Sequence, residues 1–141
     1  ASHYPGSPWI HEANFGRARA FENTKDYVNA LTSYAAVTAK TATGVGAKAQ
    51  LRTGYCQMAQ KKYAEAVKAF LIVPYTYNYP EYSAQAWYES SRAYLALKQP
   101  TEAERSVRQV VKNYPKSKWA AEAQKLLPEI KKLLPAKTKK K

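Results

Sequence analysis

The chain has 141 residues, 45% of them hydrophobic, which is the size and composition of one globular domain and leaves no room for a second catalytic one. Its 23 Lys and Arg against 10 Asp and Glu leave a net charge of +13, which argues against a neutral surface and makes an anionic or acidic partner a candidate. Five glycines disfavour a loop-built nucleotide cradle, the single Cys56 excludes an intrachain disulfide or a Cys-based zinc site, and no stretch approaches the roughly 18 apolar residues needed to cross a bilayer.

Residues 1–8 lack the basic start and apolar run of a secretory leader, which leaves the compartment open. Ser7 followed by Pro8 has the form of an N-cap with Pro at the first helical position, so a helix is predicted over 8–23. His11 and Glu12 are adjacent on that helix and face apart, and His3 is the only other histidine, so no metal site or catalytic set assembles there. A second helix is predicted over 25–40, and the Thr- and Gly-rich stretch 41–46 reads as the loosest connection. Helices over 47–60 and 63–75 follow, with Cys56 as a small buried residue rather than a reactive thiolate.

Tyr75, Tyr77, Tyr79 and Tyr82 crowd the join before the next helix, 83–97. They read either as cover for the following helix pair or as an exposed aromatic edge for a partner. No Lys or Arg stands between Tyr75 and Tyr82, so the join does not suit single-stranded nucleic acid. Helix 101–113 opens with the capping-box spacing of Thr101 and Glu104. In the last helix, 117–134, Pro128 is expected to kink or divide the run. From Lys116 onward nine lysines face only Glu122 and Glu129, so +7 of the +13 lies there, and 135–141 reads as a mobile basic tail.

The elements repeat. Ala30, Ala66 and Ala103 stand 36 and 37 residues apart, each followed at four and seven residues by Tyr34 and Val37, Phe70 and Val73, or Val107 and Val110. That spacing is one stripe of a helix. Twelve residues before each alanine stands a small residue, Ala18, Gly54 or Ser91, inside the preceding helix, which predicts a close crossing of two antiparallel helices. The joins Tyr4-Pro5-Gly6-Ser7, Tyr79-Pro80-Glu81-Tyr82-Ser83 and Tyr114-Pro115-Lys116-Ser117 read as Pro stopping the outgoing helix and Ser capping the incoming one.

On these residues the chain resembles the tetratricopeptide repeat family. The third unit carries Trp87, Ser90 and Ser91 in place of Leu-Gly, then Tyr94, Ala103, Val107, Val110 and Pro115. The second carries Gly54, Tyr63, Ala66, Phe70 and Val73, but Gln50, Thr53 and Gln57 where the family prefers Trp, Leu and Tyr. The first, with Ala18, Phe21, Tyr27, Ala30 and Tyr34, diverges most.

The resemblance spans roughly residues 8 to 134 and implies an all-α solenoid: units of about 8–46, 47–82 and 83–116, and a capping helix over 117–134. It implies a noncatalytic scaffold for a protein or peptide, with no metal or cofactor. Family register places the partner-binding groove at Phe15, Arg19, Lys48, Tyr55, Met58, Tyr88 and Arg92. The Tyr-Pro-x-Ser joins are similar to a subclass found in bacterial envelope proteins such as the Tol–Pal system coordinator, which implies a periplasmic or envelope setting. Tyr4-Pro5-Gly6-Ser7 has the form of a repeat ending, so the chain reads as a piece of a longer array. The rival reading is a binder of nucleic acid or another anionic polymer through the basic surface and tail.

Overall fold

The structure, a computed structural model, describes residues 8–135. His3, the Ser7 cap, the first Tyr-Pro join and the lysines of the tail lie outside the described residues. Among the described residues the chain forms seven α-helices and no strand: α1 (Pro8–Asn23), α2 (Tyr27–Thr38), α3 (Gly44–Ala59), α4 (Tyr63–Thr76), α5 (Pro80–Ala96), α6 (Pro100–Asn113) and α7 (Lys118–Leu133).

Each hairpin closes through the same turn. Lys25, Lys61 and Lys98, one repeat apart, have φ of 65°, 63° and 63°. In the first turn Lys25 N–H donates to the Glu22 carbonyl at 2.9 Å and Asp26 N–H to the Phe21 carbonyl at 2.9 Å, and the other two turns repeat this pair. These are Schellman bonds, which satisfy the last carbonyls of the outgoing helix by putting one residue into the left-handed region. Lysine is an uncommon choice there, because its Cβ crowds the following carbonyl.

The small residues sit where the spacing predicts. Ala18, Ala30, Ala66, Ser91 and Ala103 are fully buried, and Gly54 faces Phe70 so closely that an added Cβ would come 2.6 Å from Phe70 Cδ1. Ala30, Tyr34 and Val37 form the first core cluster with Val45, Ala49 and Cys56 of the next unit. Phe70 and Val73 do the same with Ala86 and Ala93. The third cluster joins Val107 and Val110 to Ala120, Ala123 and Ile130, so α7 covers the last hairpin as the capping helix. One packing triad therefore recurs on α3, α5 and α7: Gly46, Ala49, Cys56; Ser83, Ala86, Ala93; Ala120, Ala123, Ile130.

The helices correct four expectations. The stretch 41–46 is shorter than a loop of six: Thr43 is the N-cap of α3, and Gly46 lies in its first turn, pressed on the Thr41 carbonyl. Ser83 is no cap, because α5 begins at Pro80, whose preset φ and missing donor suit the first helical position. For the same reason α6 begins at Pro100, with Gln99 as N-cap, and Thr101 forms no capping box. Pro128 does not divide α7, where it stands exposed on an outer face that water can serve. Ser117 does cap that helix, accepting from Ala120 N–H at 3.2 Å.

Two departures from the family pattern, Gln50 and Ser90, are explained by packing. Gln50 is buried and donates to the Ala69 carbonyl at 3.1 Å, so it ties α3 to α4 by a hydrogen bond in place of a large ring. Ser90 donates to the Trp87 carbonyl at 2.8 Å and its Oγ stands in hydrogen-bond contact with Ser106 Oγ at 3.1 Å, so a polar pair fills the α5–α6 crossing.

Candidate functional site

The first helices of the units converge. Among the described residues α1 contacts α3, α3 contacts α5 and α5 contacts α7, while α2, α4 and α6 make no contact with one another. The solenoid is therefore tighter on the side of α1, α3, α5 and α7, and these helices form its inner layer.

A chain of polar side chains crosses that layer. Arg52 of α3 donates from Nε to Glu22 Oε1 of α1 at 3.1 Å and forks onto Oε2 as well. Tyr34 donates to the same carboxylate at 2.6 Å. Burial alone would raise the Glu22 carboxyl, but the bonds from Arg52 and Tyr34 and the Arg52 charge outweigh it and hold the group below the ordinary carboxylate range. The Arg52 guanidinium lies 4.6 Å from the centre of the Tyr55 ring, and the Tyr55 hydroxyl donates to Glu89 Oε2 of α5 at 2.8 Å while accepting from Gln85 Nε2 at 2.7 Å. Arg92 completes the chain, donating to Glu89 Oε1 at 2.8 Å. Burial and the Glu89 carboxylate push the Tyr55 phenol well above its ordinary range. Glu89 is 5% exposed, and both of its oxygens are engaged, which is what permits a buried carboxylate here.

Aromatic pairs flank this chain. Lys48 Nζ stands 5.2 Å from the centre of the Phe15 ring, and Phe15 packs on Tyr34 with centroids 5.6 Å apart. At the other end Tyr88 packs on Trp119 of the capping helix at 5.4 Å. A polar recess of about 610 Å³ opens beside Lys48, with His11, Glu12, Thr43 and Tyr82 among its walls.

Of the groove residues expected from register, Phe15, Lys48, Tyr55, Tyr88 and Arg92 are thus brought onto one inner layer. Arg92 does not present a free fork, because Glu89 already holds it, and its side chain remains 49% exposed. Arg19 is half-buried, and its buried Nε makes no hydrogen bond among the described residues. Met58 is half-buried against the second core cluster. The four join tyrosines do not make one platform. Tyr77 is 7% exposed, Tyr79 and Tyr82 are half-buried with centroids 5.9 Å apart, and Tyr75 is 77% exposed beside Trp87.

Sequence reading missed Arg52 and Glu89, the two residues that connect the helices. A signal existed, since Glu89 lies one repeat after Arg52 and beside Tyr88, but like positions holding opposite charges mean a cross-helix pair only once the helices are known to touch. Cys56 is the small buried residue expected from the sequence, and burial, helped by the Glu22 charge, pushes its thiol up to about 12.

A search of the curated proteins finds no match. Two family models, each described as tetratricopeptide repeat, match residues 17–81 and 85–117, together more than half of the chain. Such repeats generally mediate protein–protein interactions as noncatalytic scaffolds. With both matches falling on the helix pairs just described, the chain belongs to the tetratricopeptide repeat family, as an all-α solenoid of its repeats.

Proposed function

We propose that the chain is a noncatalytic scaffold whose inner layer holds a segment of a protein partner, with Tyr88 and Trp119 as the apolar anchor and Arg92, Arg19 and Lys48 as the polar contacts. The observation that carries this reading is the continuous set of bonds from Glu22 through Arg52, Tyr55 and Glu89 to Arg92, which locks side chains of three helices in one arrangement before any partner arrives. Preorganisation of that kind reduces the ordering cost of binding. Tyr55 acts as a strut within it rather than as a contact. The array works as one domain, with 117–134 as its cap and 135–141 as a basic extension. The Tyr-Pro-x-Ser sequence of the Tyr114-Pro115-Lys116-Ser117 join is what supports reading the chain with the envelope-type repeats.

The polyanion reading rests on the +13 charge and gives the opposite dependence on salt. The test is capture with the intact chain at low and high salt, followed by affinity measurements on what is retained. Retention at high salt that fails for Tyr88→Ala and Arg92→Ala supports the groove. Binding that vanishes with salt and ignores both substitutions contradicts it.

A further inference from the structure

We propose a second docking surface, on the outer layer, for an amphipathic helix carrying acidic residues beside its apolar stripe. The observation is a difference between equivalent helices. On α4 the outer positions hold Ala64, Val67, Leu71, Ile72 and Tyr75, whereas the positions 37 residues later on α6 hold Thr101, Glu104, Arg108, Gln109 and Lys112. The next second helix does not cover this face, since α4 and α6 make no contact among the described residues, and α5 reaches its edge through Trp87, Tyr94 and Leu97. The polar set on α6 shows that the repeat does not need apolar residues there. Ile72 is nevertheless 43% exposed and Tyr75 77% exposed. These residues line an open groove of about 610 Å³ between α4 and the end of α5, with Tyr94 and Leu97 as the far wall.

The groove selects its occupant by shape and charge. It follows α4 from Ala64 to Thr76, which at 1.5 Å per residue is about 18 Å, or three turns of a helix. Its walls are side chains of helices whose backbone bonds are internal, so it offers no edge for an added strand, and its straight run of three helical turns suits the side-chain packing of a helix. Lys68 is the charged side chain in the lining, no carboxylate lines the groove, and Lys98 sits in the turn beside it. Glu102, the nearest acid beyond Gln99 in sequence, is paired with Arg105 at 3.5 Å. A second copy of this chain would bring its own +13, so an acidic partner is the complementary one.

The experiment uses the intact chain and a panel of helical peptides of about 14 residues, with Leu, Ile or Phe at i, i+4 and i+7 and Glu on the flanks. Matched panels carry Lys flanks or a scrambled order. Binding is read by peptide fluorescence anisotropy and by amide shifts of the labelled chain. Saturable binding of Glu-flanked peptides is expected, with shifts confined to α4, the end of α5 and the following turn. The double variant Ile72→Gln with Tyr75→Lys installs the residues that α6 carries at those positions. It should weaken binding at least about tenfold while keeping the helicity and melting temperature of the parent. Lys68→Glu should reverse the preference from Glu to Lys flanks, and Tyr88→Ala should change nothing, which separates this surface from the inner layer. The proposal is overturned if no panel member saturates below about 1 mM, if scrambled peptides bind equally, or if the double variant binds as the parent does. Sedimentation showing that the parent self-associates and the double variant does not would assign the groove to a second copy, and would also overturn it.

Discussion

Glu22 and Glu89 receive donors from more than one helix, and each is nearly closed off from water. For Glu22 the direction of its shift fixes a dependence on pH. Its folded carboxyl titrates below the ordinary range near about 4.3, so its contribution is complete above that value and is lost as pH falls through the folded pKa. Glu22→Gln should therefore lower stability at neutral pH by about 1–2 kcal/mol, discounted because Arg52 is 28% exposed, and the deficit should shrink below about pH 4. Urea melts of both proteins at pH 7 and pH 3.5 check this; a deficit that persists unchanged at the lower pH contradicts it. Phe15, Tyr55, Tyr88 and Arg92 were legible as inner-layer positions because repeat register fixes which way a helix faces. The partners of Tyr55 were not, because a bond between residues 30 or 34 apart depends on a crossing that register does not supply.

Two glycines in helices allow the same substitution to be tested with opposite signs. Gly16 of α1 has nothing within 4 Å of an added Cβ, so Gly16→Ala should stabilise by about 0.5–1 kcal/mol through helix propensity alone. Gly54 of α3 abuts the fully buried Phe70 ring, so Gly54→Ala should destabilise by about 1–3 kcal/mol despite the same propensity gain. Thermal melts that move in one direction for both would break the assigned crossing of α3 and α4. The hairpin turns offer a third case. Lys61 holds φ of 63°, and Lys61→Gly should raise stability by about 0.5–1 kcal/mol, less than the full steric relief because glycine also loosens the unfolded chain. A loss of stability would mean that the lysine side chain contributes more than its backbone costs. The existence and order of seven helices could be read from spacing alone, whereas their starts could not. Pro80 and Pro100 punctuate by opening a helix, and sequence alone does not distinguish that role from closing the previous one.

Among the described residues, the first helices touch and the second helices do not, which gives the solenoid two unlike layers. The inner layer is bonded side to side and joined to the capping helix through Tyr88 and Trp119. The outer layer is a row of separate helix faces, of which that of α4 is apolar and that of α6 is not. Solenoid class and the covering role of α7 followed from the three copies of one pattern. The outer groove did not, because apolar residues on α4 look like core until the helix is seen to have a side that α6 does not cover. The functional reading depends on the inner layer being the recognition surface. Its most direct test is a calorimetric comparison of three forms of the chain against one captured partner: Tyr88→Ala, Arg92→Ala and the deletion of 137–141. Loss of roughly 2 kcal/mol of binding for the Tyr88 or Arg92 variant, with a smaller and salt-screened effect of the deletion, is the predicted result. Full affinity in both substituted proteins, folded as the parent is, with binding lost only on removal of the lysines, would contradict it.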